Sequence, residues 1–166
     1  MDRADELEAL AERVEALTRP DREVDAEVAL AFGYVRDEFC CTNINGSSER
    51  GLLWFPPYFT ADDKAGAISE YRSSVAANFW PESDPPAFTA SLDAAMSLVP
   101  EGWLPAVQAF ARGNECKPAY HRGTLRRWTR NEQGDVSFEK LHGIATTPAL
   151  ALVAAALRAL AAERGK

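Results

Sequence analysis

The sequence predicts an α+β fold in which an antiparallel β-sheet is packed between α-helices, an α/β/α sandwich. Three observations carry that expectation. Apolar residues recur at helical spacing near both ends of the chain, two central stretches are rich in strand-forming residues, and each of these meets a Gly-containing turn followed by a return strand. The elements then fall in the order α-α-β-β-α-α-β-β-β-α.

The first helix places Leu7, Leu10, Val14 and Leu17 on one narrow stripe among Glu6, Glu8, Glu12, Arg13 and Glu15. Such a stripe either docks on the domain or pairs with a second copy. Two heptads are too short to define a coiled coil, so homo-oligomerisation through these four residues is an expectation that rests on the stripe alone. Pro20 and the acidic run Asp21, Glu23 and Asp25 start a second helix, with Val24, Val28, Ala31 and Phe32 on one face and Gly33 at its exit.

Tyr34 to Ile44 and Leu52 to Phe55 flank Asn45-Gly46 and read as a β-hairpin closed by Pro56-Pro57. Thr60 to Asp63 caps a helix expected from Ala61 to Asn78. After the proline-punctuated stretch Trp80 to Pro86, Thr89 is expected to cap a helix through Leu98 with Leu92, Ala95, Met96 and Val99 inward. Trp103 to Ala111 reads as a strand that Pro105 confines to a sheet edge or a strand start. Thr124 to Arg130 alternates and returns as Val136 to Leu141 across the turn Asn131 to Asp135. Thr147-Pro148 opens a last helix to about Glu163 with Leu150, Val153, Leu157 and Leu160 in register. Its many alanines predict close approach to the sheet. Residues 1–18 are expected as an amphipathic helix on a single α+β sandwich domain, 19–166, with a helical insertion around 61–83.

The chain has 166 residues, 46% hydrophobic and 26% charged, which excludes a wholly disordered or collagen-like polypeptide. Its formal net charge of -7 argues against general duplex-DNA binding, because polyanion affinity rests on Lys and Arg. Charge is nonetheless uneven. Between residues 112 and 130, Arg112, Lys117, Arg122, Arg126, Arg127 and Arg130 stand against Glu115 alone. The longest apolar run, Pro148 to Leu157, is about half of what a bilayer requires, so no membrane partner is expected. With no signal-peptide pattern and the odd set Cys40, Cys41 and Cys116, the expected location is the bacterial cytoplasm with reduced thiols.

The segments Asp21 to Ala29, Pro86 to Met96, Val99 to Trp103 and Thr147 to Arg158 resemble small phage and prophage proteins of alphaproteobacteria grouped as the phage ABA sandwich domain. The resemblance implies an antiparallel sheet between helical layers. It covers the second helix, the Thr89 helix and the last helix, while Ala61 to Ser83 and the basic stretch near Arg122 are longer than the family pattern. The group has no assigned activity, so the resemblance implies no site residues.

Catalytic motifs are sparse. His121 and His142 are the two histidines, Cys116 and His121 lack metal-ligand spacing, and no phosphate loop, dinucleotide fingerprint or nucleophile elbow occurs. Asp62-Asp63 suits a helix start without metal. No cofactor is expected. The basic strip is the most informative feature: on a strand, Arg126, Trp128 and Arg130 share a face, with Tyr120, His121 and Arg122 just before. Guanidinium forks grip phosphate or carboxylate, and an aromatic ring stacks on a base or on Arg. These six residues are the expected ligand or partner site, with an ordinary solvated hairpin face as the competing explanation. The aromatic residues Trp54, Phe55, Tyr58, Phe59, Phe79 and Trp80 are expected to be mostly core.

The expected function is that of a non-enzymatic, phage-derived accessory protein that binds an anionic host small molecule or inhibits a host protein, with nucleic acid the least favoured partner. A phosphate-ester hydrolase and a structural or assembly protein are the alternatives.

Overall fold

The computed structural model describes residues 3–76, 84–111, 118–130 and 134–165. Among these residues five helices and five strands occur in the expected order: α1 (Arg3–Ala16), α2 (Arg22–Ala31), β1 (Val35–Thr42), β2 (Ser48–Phe55), α3 (Ala61–Ala76), α4 (Leu92–Met96), β3 (Leu104–Ala111), β4 (Pro118–Arg130), β5 (Val136–Ala145) and α5 (Pro148–Arg164). The α+β class and the exclusively antiparallel pairing agree with the sequence. The strands divide, however, into a two-stranded sheet, β1-β2, and a three-stranded sheet, β3-β4-β5. The chain correspondingly forms two compact units, Met1–Val28 with Ala87–Lys166, and Ala29–Pro86, a division that does not follow the expected boundary at residue 18.

In the first unit α5 is the central element. Thr147 caps it through the Leu150 N–H at 3.3 Å, with Pro148 in its first turn. Every residue from Ala149 to Leu157 is buried, because the helix is covered by the three-stranded sheet, by α1 and by α4. The close approach predicted from its alanines is realised at a cross-strand glycine pair, Gly123 opposite Gly143. A Cβ on Gly123 would lie 2.3 Å from the carbonyl oxygen of Ala151, and one on Gly143 would lie 2.2 Å from the same atom. Two side-chain-free positions thus let the helix backbone rest directly on the strands.

Leu7, Leu10 and Val14 are buried within the chain, in a helix that packs on α5, and Leu17 is half-buried. The stripe docks intramolecularly and is not a free self-association surface. Charge fixes its register: Arg158 of α5 donates to Glu8 at 2.7 Å and to Glu15 at 2.6 Å. Burial raises the Glu15 carboxyl, but the hydrogen bonds from Arg158 and from the Ile144 N–H prevail and hold it below the usual range.

The same pair covers the outer edge of β5. Ile144 donates its N–H to Glu15 at 2.7 Å, and the carbonyl of His142 accepts from Arg158 at 2.7 Å. These are backbone groups that a further strand would otherwise satisfy. At the opposite edge lies β3, where the register Pro105 opposite Leu125 falls between bonded pairs, so proline's missing N–H deprives no ladder bond.

Asp21 caps α2 by accepting from the N–H groups of Glu23 and Val24. Asp25, fully buried, accepts from the Thr89 N–H at 2.7 Å and from Arg22 at 2.9 Å. Burial still pushes its carboxyl above the usual range. Thr89 therefore serves this contact and does not cap a helix. Ser91 caps α4, donated to by the Ala94 N–H. Because α4 has five residues, the long inward stripe is not formed: Ala95 and Leu98 are buried, while Leu92 and Met96 are exposed.

In the second unit β1 and β2 form the expected hairpin, with Asn43 accepting from the N–H groups of Asn45 and Ser47 to shape the connection. Thr60 and Asp63 exchange hydrogen bonds as a capping box for α3. Tyr71 and Val75 of α3 pack on Cys41, and Phe39 meets Tyr71 edge-to-face at 5.3 Å. Phe55 is buried, Trp54 and Phe59 are half-buried and Tyr58 is exposed. Cys40 is an exposed thiol. Phe79, Trp80, the end of the expected insertion and Cys116 lie outside the described residues.

Candidate binding face of the three-stranded sheet

Strand alternation gives β4 two faces with opposite fates. Odd-numbered residues point toward α5, since Gly123 meets Ala151 there. Leu125 is fully buried on this side. Arg127 is also turned this way and is immobilised: it donates to Glu139 of β5 at 2.8 Å and to Glu163 of α5 at 2.8 Å, and its guanidinium lies 4.4 Å from the ring centroid of the buried Trp103. Trp103 in turn donates its indole N–H to Glu163 at 3.0 Å. Arg127 therefore belongs to the packing of the unit, although it is indistinguishable in composition from its neighbours in the basic strip.

Even-numbered residues occupy the other face. Tyr120, Arg122, Arg126, Trp128 and Arg130 of the expected site share it. His121 does not: its parity turns it to the α5 side, where its Nδ1 lies 3.1 Å from the carbonyl oxygen of Thr146 at the end of β5. Five of the six expected residues are thus brought together and the sixth is removed.

Register adds residues that the strand taken alone did not reveal. Lys140 stands opposite Arg126, and Phe138 stands opposite Trp128 with ring centroids 4.5 Å apart. Trp128 is 64% exposed and Phe138 48%. At the other end of the face Phe110 and Tyr120 stack at 5.0 Å, with the guanidinium of Arg122 4.9 Å from the Phe110 centroid. A hairpin centred on Gln133 pairs positions equidistant from it, so a symmetric turn is the signal that would have identified Phe138 and Lys140 in advance.

The electrostatics of the two faces differ in kind. Among the described residues of β3, β4 and β5 the single acidic side chain is Glu139, and it lies on the α5 side with Arg127. The outward face carries Arg122, Arg126, Arg130 and Lys140 with no carboxylate interspersed, and among the described residues none of these four makes an ion pair. His142 sits between them. Burial lowers its basicity below the ordinary histidine value, and the positive charges of Lys140, Arg122, Arg126 and Arg158 lower it further.

The concentration of guanidinium and ammonium groups gives this face the chemistry to hold an anion. Its hydroxyl–imidazole pair, Thr124 Oγ1 to His142 Nδ1 at 3.2 Å, places the hydroxyl on a buried residue. Among the described residues no three His, Cys, Asp or Glu side chains are grouped as metal ligands. Among the same residues no helix is long and apolar enough to cross a membrane. No family model matches the chain, and no curated protein or solved structure has significant similarity to it.

Proposed function

We propose that this chain is a non-enzymatic binding protein of the phage-derived accessory kind its sequence resembles, acting in the bacterial cytoplasm by capturing an anionic ligand or the acidic surface of a host partner on the outward face of β3-β4-β5. The observation that carries this reading is the segregation of charge: in a chain of net charge -7, one sheet face holds, among the described residues, four cations and no carboxylate. Arg126 and Lys140 stand directly opposite one another, and an arriving anion relieves their repulsion while gaining charge-assisted hydrogen bonds. Exposed aromatic rings between the cations supply apolar contact area. The buried Thr124 hydroxyl beside His142 favours capture over turnover.

The test is native mass spectrometry of the full chain expressed in bacteria, followed by titration of the anion that is retained, or of inorganic polyphosphate as a probe. Arg126→Ala with Arg130→Ala should weaken binding by about tenfold or more without unfolding the protein, since each removes a charge-assisted contact. Binding of every anion at unchanged affinity in that double variant overturns the assignment of this face. Turnover of a phosphate ester that disappears in His142→Gln overturns the non-enzymatic reading.

A further inference from the structure

We propose that the anion held on the outward face of β3-β4-β5 is a single-stranded nucleic acid, an inference that rests on the binding role just assigned to that face. The argument lies in how cations and rings are arranged. Arg122, Arg126 and Arg130 stand in one row along β4, separated by four residues each, or about 13 Å at strand rise. Trp128 lies within that row, between two of the arginines, and its ring is extended across the strand by Phe138. Tyr120 with Phe110 forms a second aromatic pair about 26 Å away along the same strand. Along this face the order is Tyr120, Arg122, Thr124, Arg126, Trp128 and Arg130, so cations and rings are interspersed in one row, and an extended single strand offers phosphates to the first and base faces to the second.

Each alternative occupant fits part of this pattern. A small anion seeks a concave pocket that surrounds most of its surface, whereas these residues are spread along one face of a 13-residue strand, with Arg126, Trp128 and Arg130 exposed. An acidic protein surface is matched by the cations but does not call for planar rings aligned with them. Duplex nucleic acid presents its phosphates and conceals the faces of its bases, so the exposed Trp128–Phe138 pair would have nothing to stack on. Three of the four cations are arginines, whose planar guanidinium both forks onto phosphate and stacks on bases. The acidic remainder of the chain limits the contact to this face.

Fluorescence anisotropy of the full-length chain with a labelled 12-nucleotide single strand tests the proposal, against a duplex of the same sequence, inorganic polyphosphate, and vesicles of phosphatidylserine in phosphatidylcholine. Single-strand binding stronger than that to the other three is expected. Trp128→Ala should weaken it by about tenfold through lost stacking and leave its salt dependence unchanged. Arg126→Ala with Arg130→Ala should instead reduce the slope of log affinity against log salt by about 1.4, two phosphate contacts at about 0.7 each. Both variants sit on exposed positions, and an unaltered melting temperature verifies their fold.

Equal affinity for polyphosphate with no effect of Trp128→Ala overturns the nucleic-acid inference and leaves the anion-binding face standing. Preference for vesicles or for the duplex overturns it in the same way, in favour of that class. Absence of binding to all four probes removes the nucleic-acid inference, and retention of an arginine-dependent protein partner in the mass-spectrometric experiment then decides the fate of the broader reading.

Discussion

Arg126 and Arg127 are adjacent in the chain and opposite in everything else. Arg127 is clamped between Glu139, Glu163 and the ring of Trp103, with its side chain 16% exposed, whereas Arg126 stands in solvent without a carboxylate partner among the described residues. The difference teaches that the sheet has separated its tasks by parity. The odd face of β4 packs on α5, and the even face carries cations without an ion-pair partner among the described residues. A basic strip in a sequence is thus two populations, and only the strand period separates them.

The largest test of that separation is at the glycine pair. Gly143→Val would place side-chain atoms where the Ala151 carbonyl lies, forcing α5 off the sheet; a loss of about 3 kcal/mol, read in denaturant unfolding, is expected, and a change below about 1 kcal/mol would show that α5 is not seated there. Next is Arg158→Met, which strands Glu15 and Glu8 and leaves the His142 carbonyl without its donor. We expect a loss of about 2 to 3 kcal/mol, smaller than for a fully buried pair because both partners keep some exposure.

The adjacent arginines provide the sharpest contrast. Arg127→Ala should lower stability by about 1 to 2 kcal/mol through lost ion pairs and lost packing on Trp103, and Arg126→Ala should stay within about 0.5 kcal/mol of the parent while weakening anion binding. Equal effects of the two on unfolding would break the comparison. The smallest effect belongs to His142. Burial and its cationic neighbours hold its folded-state pKa below the unfolded value of about 6.5. The unfolded chain therefore binds the proton more readily, so stability is complete above that value and declines as pH falls through it. His142→Gln should flatten this part of the stability profile, and titration of His142 by NMR should move upward when a polyanion occupies the face.

Much of this was legible because it is local. The order of elements follows from caps, turns and periodicity, and the shared face of Arg126, Trp128 and Arg130 follows from alternation alone. The alanine-rich α5 announced its close seat on the sheet, and the matching glycines are visible at equal distance from the hairpin turn. The rest depended on partners distant in sequence. Alternation states that a strand has two faces without stating which hairpins join, so two sheets could not be distinguished from one. The α1 stripe was consistent with two destinations until Arg158, in the last helix, supplied the counter-charge for Glu8 and Glu15. Thr89 has the composition of a cap and is instead drawn to the buried Asp25, a long-range contact that outweighs the local preference. His121 lay beside the site residues in sequence, and a single step of register put it on the other side.

The Glu15–Arg158 pair that occupies the outer hydrogen-bonding groups of β5 has a consequence for assembly. A strand has to find vacant amides and carbonyls to join a sheet, and on this flank two have been taken by side chains. A chain that would extend the sheet at this end of β5 must first displace Glu15 and Arg158. Strand addition to the three-stranded sheet is thereby opposed on the β5 side, where side chains already hold the groups a newcomer would pair with.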